Sequence, residues 1–352
     1  MKRRDFLKTS AMAALSGAAM ILPSSVTSAA NESASGDVLK FSFRPDGKFK
    51  VMQLTDTHYV SGNPKSQRAL RNIVEMLDME KPDLVIHTGD VIWGNPAAQS
   101  FKELFQPLVD RGVPFVVALG NHDSDFELSR KEAFDVVRTI PGNKNSPLKE
   151  GVHGFSNDVI VLSSPNGVER AFYIFDTGNR IEYRGEKGYD YIRHSQIAWY
   201  RRCSEALTRA NGDKPVPSMA FFHIPVKEFN DGVRDTRRSM IGYFSEEPCS
   251  SLYNSGLVAN FKELGDVEAI VCGHDHDNDF VMKHGDMYYM YGRYSGGDTV
   301  YNHIGPSGAR IFEFTSGEPG FRTYVRQFGK GVFQDVTLKR DVKSILRSAP
   351  KE

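Results

Sequence analysis

Short apolar runs alternating with helix-type segments constrain this chain most. The segments DLVIHTGD (83–90) and VPFVVALGNHD (113–123) are near-continuous in apolar residues, as strands covered on both faces are, and KFKVMQL (48–54) also reads as a strand. In chain order these runs are 48–54, 83–90 and 113–123, and between the first two lies SQRALRNIVEMLDME, with Leu70, Ile73, Val74 and Leu77 at helical spacing. SFKELFQPLVDRG separates the second from the third and predicts a helix that breaks or ends near Pro107. This β-α-β-α-β rhythm predicts parallel strands with helices on their faces.

The alternation continues downstream. DVIVLSS and AFYIFDTG read as strands joined by a turn at Pro165, Asn166 and Gly167, and SQIAWYRRCSEALTRA as a helix from Ser195. PSMAFFHIP is a strand ending at His223, and GLVANFKELGDVEAIVCGHDH is a helix followed by a strand. DMYYMYG and ARIFEFTSG add strands, and FRTYVRQF with VFQDVTLKR predicts a terminal hairpin. No repeat and no internal linker interrupts this order, so one domain over 38–352 is expected, with a C-terminal β extension from about residue 316.

Residues 1–30 read differently. MKRRDFLKTS carries Arg3-Arg4, then comes the apolar AMAALSGAAMIL and the small-residue stretch SSVTSAA. That order is the layout of an export signal and resembles a twin-arginine signal, with 31–37 as a polar linker. The expectation is an exported protein, periplasmic or extracellular in a bacterium, handled by the twin-arginine machinery. No apolar run is long enough to predict a stable membrane span. Lys+Arg and Asp+Glu both number 44 in 352 residues, which gives no reason to expect nucleic acid as a partner. Cys203, Cys249 and Cys272 have no metal-type spacing; a Cys203–Cys249 disulfide stays open in an exported chain.

The ends of the strands carry the chemistry. The first run is followed by Asp56 and His58, the second by Asp90, and the third by Asn121, His122 and Asp123. His223 ends a fourth, and His274 and His276 end a fifth. Carboxyl ends of parallel strands share one edge of a sheet, where ligand sites form. Each motif alone is weak, but five in chain order are specific. The His-x-His-x-Asp-His pattern of metallo-β-lactamases is a rival for 274–279, but Asn278 and Asp279 stand where its Asp and last His belong.

The ordered set Asp-x-His, Gly-Asp, Gly-Asn-His-Asp, His and Gly-His-x-His resembles the calcineurin-like metallophosphoesterase family over Asp56 to His276. FFHIPV, GHDHDND and YGRYSGG look most like phosphatases related to the small purple acid phosphatases. The resemblance implies a four-layer α/β/β/α sandwich of two facing, mixed, mostly parallel sheets. It implies that Asp56, His58, Asp90 and His276 hold one metal, and that Asp90 bridges to a second held with Asn121, His223 and His274. His122 would face the leaving group and Asp123 would orient it. Purple enzymes carry a tyrosine ligand where this chain has Trp93, and lack a histidine at the place of His58, so tyrosinate–iron colour is not expected. Imidazole and oxygen donors without thiolate suit zinc, iron or manganese. Hydrolysis of a phosphorylated small molecule by metal-activated water follows, a monoester favoured. A diesterase or nuclease is the alternative, and a non-catalytic binding module a further one. Arg293 is a candidate phosphate clamp and Tyr59 a candidate residue of the mouth; Asp277 and Asp279 are candidate supports for the ligand histidines.

Overall fold

The computed structural model describes residues 38–339. The export-signal and linker expectations fall on 1–37, outside the described residues. In chain order the first elements are β1 (Val38–Ser42), β2 (Lys48–Leu54), α1 (Gln67–Glu80), β3 (Leu84–His87), α2 (Ala97–Arg111), β4 (Phe115–Val117) and α3 (Arg130–Thr139). Next come β5 (Asp158–Ser164), β6 (Gly167–Ile174), β7 (Arg180–Tyr183), β8 (Glu186–Tyr189), α4 (His194–Ala210), β9 (Ser218–Phe221), α5 (Glu228–Arg234) and β10 (Ser239–Ile241). The last are α6 (Leu257–Leu264), β11 (Val267–Cys272), β12 (Val281–His284), β13 (Met287–Tyr291), β14 (Gly308–Thr315), β15 (Phe321–Gln327) and β16 (Val332–Leu338).

Two mixed sheets face each other. One has the order β1-β5-β6-β9-β11-β13-β12-β10 and the other β16-β15-β14-β2-β3-β4, while β7 and β8 form a separate hairpin. The ladders β2–β3, β3–β4, β6–β9 and β9–β11 are parallel, so every strand that leads into a candidate ligand lies in a parallel ladder. Among the described residues, β15 pairs antiparallel with β14 and β16 antiparallel with β15, which extends the smaller sheet.

Alternation along each strand builds the layers. In β2, Val51 packs between the sheets with Phe221, Val271 and Phe312, while Met52 and Leu54 pack on α1 and α2 with Ile73, Leu77, Phe101 and Leu104. In β11, Ala269 and Val271 face the inter-sheet core, and Ile270 and Cys272 pack with Trp199, Tyr200, Val258 and Phe261 of α4 and α6. The result is helix, sheet, sheet, helix. Aromatic pairs stitch the two sheets: Phe172 meets Phe314 at 5.2 Å and Phe221 meets Phe312 at 5.7 Å between ring centroids.

One helix corrects its expectation. α2 passes through Pro107 and ends at Gly112, whose φ of 63° lets its N–H reach the carbonyls of Leu108 and Val109. Proline removes one backbone donor, but Phe101, Leu104, Phe105 and Leu108 lie buried on both sides of it, and that packing carries the helix across.

Candidate metal centre

Five loops at the carboxyl ends of β2, β3, β4, β9 and β11 bring Asp56, His58, Asp90, Asn121, His223, His274 and His276 together, each no more than 8% exposed. The backbone turns sharply to aim them. Asp56, His58, Asp90 and His274 have φ of 55°, 45°, 52° and 81°, and they are four of the eight non-glycine residues with positive φ among the described residues. Such conformations cost free energy and persist only where the surroundings dictate them. Glycines allow the loops to touch: a Cβ at Gly120 would land on the backbone N and carboxylate of Asp90, and one at Gly273 on Thr55 and Asp56.

The side chains fall into two groups whose donor atoms lie within 4.8 Å of one another, Asp56 with His58 and His276, and Asp90 with His223 and His274. In the first, His58 Nε2 stands 3.1 Å from His276 Nε2, which is 3.6 Å from Asp56 Oδ1. In the second, His223 Nε2 is 3.1 Å from Asn121 Oδ1, 3.1 Å from Asp90 Oδ2 and 3.2 Å from His274 Nδ1. Asp90 Oδ2 is also 3.8 Å from His58 Nε2, so one carboxylate oxygen faces both groups.

Outer contacts fix which ring nitrogen points inward. His223 Nδ1 donates to the Thr88 carbonyl at 2.7 Å and His276 Nδ1 to the Tyr301 carbonyl at 2.9 Å, which turns both Nε2 atoms inward. Asp56 accepts from the Thr55 hydroxyl at 2.7 Å and from the His274 N–H at 3.0 Å. Burial holds His58 and His274 down at about 3, so both imidazoles are neutral at physiological pH. Burial would also depress His223, but Asp90 beside it raises this imidazole to about 9. Burial works to raise the Asp56 and Asp90 carboxyls, yet the neighbouring histidines keep both well below the usual carboxylate range. Inward-facing imidazole nitrogens crowd ionised carboxylates, and a cation seated among them would take the place of the proton that Asp90 stabilises on His223. That donor set would suit two metal cations, with Asp90 facing both positions.

Several expectations need correction. The Asp123 carboxylate does not bond the His122 ring: it accepts the backbone N–H groups of Asp90, Val91, Ile92 and Gly120, and so shapes the loop that presents Asp90. Arg293 does not reach the mouth. It is fully buried, bonded to Asp279 at 2.7 Å and to the carbonyls of Ile304 and Pro306. Tyr59 is 1% exposed and donates to Glu103 at 2.8 Å, away from the mouth. Asp277 binds His303, and Asp279 binds Arg293, Gln334 and the Tyr243 N–H, so neither supports a ligand histidine. No disulfide joins Cys203 and Cys249.

His122 belongs to neither donor group but stands beside both, its ring 5.7 Å from that of His58 between centroids. Its N–H donates to Asp90 Oδ1 at 2.8 Å, while its ring lies edge-on to Trp93, with centroids 4.4 Å apart. Its Nδ1 lies 2.6 Å from Asp125 Oδ2, and Arg180 of β7 reaches both residues. Sequence reading singled out neither Asp125 nor Arg180. The spacing of Asp125 three residues after His122 was the available signal.

A two-sheet sandwich with two donor groups that face one shared carboxylate marks a metal-dependent phosphoesterase. The chain belongs to the calcineurin-like phosphoesterase family, whose model matches residues 49–278. A protein of Arabidopsis thaliana named probable inactive purple acid phosphatase 28 is 31% identical over 289 residues, 72% of each chain. Phosphatase DCR2 of Saccharomyces cerevisiae is 28% identical over 322 residues, 81% of this chain and 54% of that one. A dimetal phosphatase from Danio rerio superposes with a TM-score of 0.56 at 14% identity, covering 83% of this chain and 99% of the other, a likeness of fold.

Proposed function

We propose that this chain is an exported phosphatase that hydrolyses phosphate monoesters at a two-metal centre. The observation that carries the reading is Asp90 Oδ2, placed toward both donor groups at once. Asp56, His58 and His276 would hold one cation, Asn121, His223 and His274 the other, with Asp90 between them. Bound there, the cations supply Lewis acidity toward the phosphoryl oxygens and a water acidified toward neutral pH. His122 stands beside this group with Nδ1 engaged by Asp125 and Nε2 turned outward next to Arg180 Nη2, and in its imidazolium form it would hand the Nε2 proton to the departing oxygen. The monoester preference draws on the purple-type pattern of FFHIPV, GHDHDND and YGRYSGG.

Relatives named inactive raise a second reading, a module that binds phosphoesters without turnover. The complete donor set and His122 favour the enzyme. Protein expressed in its host should contain two transition-metal ions and cleave p-nitrophenyl phosphate faster than bis-p-nitrophenyl phosphate. The reverse preference would make it a diesterase, and two bound metals with no turnover of either ester would favour the binding module. In His276→Ala, metal content should fall from two ions to one, because that imidazole faces only the Asp56 and His58 side; retention of two ions would reject the assignment.

Export rests on MKRRDFLK followed by the apolar and small-residue stretches. Replacing Arg3-Arg4 with Lys-Lys should trap the protein in the cytoplasm of a twin-arginine-competent bacterium; undiminished export would remove this part of the reading.

A further inference from the structure

The β7–β8 hairpin and the loop after β4 meet at His122. Asp125 Oδ2 lies 2.6 Å from His122 Nδ1, and its other oxygen accepts from Asn179 Nδ2 at 3.2 Å. Arg180 Nη1 reaches Asp125 Oδ2 at 3.1 Å while its Nη2 stands 3.5 Å from His122 Nε2. The Arg180 guanidinium also lies 5.8 Å from the centroid of the Tyr189 ring, and Tyr189 packs edge-on against His274 with centroids 4.3 Å apart. One hairpin thus touches His122 and a donor of the second metal group.

An imidazole at a solvent-facing mouth turns about two side-chain bonds unless something holds it. His122 has Trp93 and His58 against its ring, but among the described residues only Asp125 and Arg180 make directional contacts with its ring nitrogens. A carboxylate at Nδ1 selects the tautomer with the proton on that nitrogen when the ring is neutral, and in either charge state leaves Nε2 pointing outward. Asp123 cannot do this, since both its oxygens are taken by backbone N–H groups.

We infer that Asp125 is the positioning residue of His122, and that Arg180, delivered by the β7–β8 hairpin, locks the pair and flanks the leaving-group side of the site. The inference rests on the phosphatase reading for its catalytic consequence but not for its geometry. A displacement of about 1 Å at a reacting group costs on the order of 10²-fold in rate, so loss of the clamp should show mainly where His122 is needed. Nitrophenolate departs without a proton; an alkoxide does not.

Two measurements test it. In protein labelled with 15N-histidine, long-range proton–nitrogen spectra should show a strongly downfield proton on His122 Nδ1, assigned by its absence in His122→Asn. Asp125→Asn should abolish that signal. In the metal-loaded enzyme, Asp125→Asn should retain both ions and lower kcat on an alkyl phosphate about 10–100-fold, with p-nitrophenyl phosphate changed no more than about threefold and KM little altered. Arg180→Met should show the same selectivity with smaller amplitude. Survival of the Nδ1 proton in Asp125→Asn, or an equal loss on both esters with metals retained, would overturn the inference. If the wild type cleaves neither ester, the phosphatase reading fails while the spectra still decide the geometry.

Discussion

His122→Asn is expected to keep both metal ions and lose about 10²–10⁴-fold of turnover on an alkyl phosphate, equivalent to about 2.7–5.5 kcal/mol of transition-state stabilisation. The ring of His122 belongs to neither donor group, so its removal leaves the seven candidate ligands in place. Its structural bond to Asp90 Oδ1 comes from the backbone N–H, which asparagine retains. Asparagine is also tolerated on such loops and introduces no bulk against Trp93. What disappears is a group able to release a proton at the position of Nε2. Metal analysis together with kcat on an alkyl and a nitrophenyl ester checks this, and an unchanged rate on the alkyl ester would take His122 out of the reaction.

Arg293→Met is expected to reduce folding stability by about 3–5 kcal/mol while leaving KM of the residual folded enzyme unchanged. Arg293 and Asp279 are both fully buried, and the guanidinium further satisfies the carbonyls of Ile304 and Pro306. Methionine fills much of the same volume but leaves the Asp279 carboxylate without its buried cation. Arg310 sits close by, bonded to the Asp279 carbonyl, and offers no direct replacement at the carboxylate. Urea denaturation measures the stability and initial rates give KM. A large rise in KM with stability intact would restore the phosphate clamp that the sequence pattern implied.

The difference between Arg293 and the metal donors shows where sequence reading holds. The strands Lys48–Leu54, Leu84–His87 and Val267–Cys272 were legible because burial on both faces demands apolar runs, and a run states its own end. Donors placed directly after such runs inherit their position from the strand. Arg293 also follows a strand, β13, yet the segment after it folds inward against Asp279 and the Ile304–Pro306 backbone. Nothing local announces that turn. Tyr59 fails as a mouth residue for the same reason, since its direction is set by Glu103, 44 residues away.

The acidic residues around His122 make the point most sharply. Asp123 follows His122 directly, but the loop aims its carboxylate back at four backbone N–H groups, while Asp125 turns toward the ring. The hairpin that completes the clamp comes from 55 residues further along the chain and has too little apolar patterning to be read as paired strands.

By itself the sequence determined where the central strands lie along the chain and the chemical types of the donors at their ends. These follow from periodicity and from short-range adjacency, which the chain carries locally. Only the tertiary structure decided which oxygen of Asp90 faces both metal groups, which carboxylate holds His122, and which arginine lies beside it. Those choices depend on loops that meet across long sequence separations, where backbone hydrogen bonds and burial, rather than residue order, set the direction of each side chain.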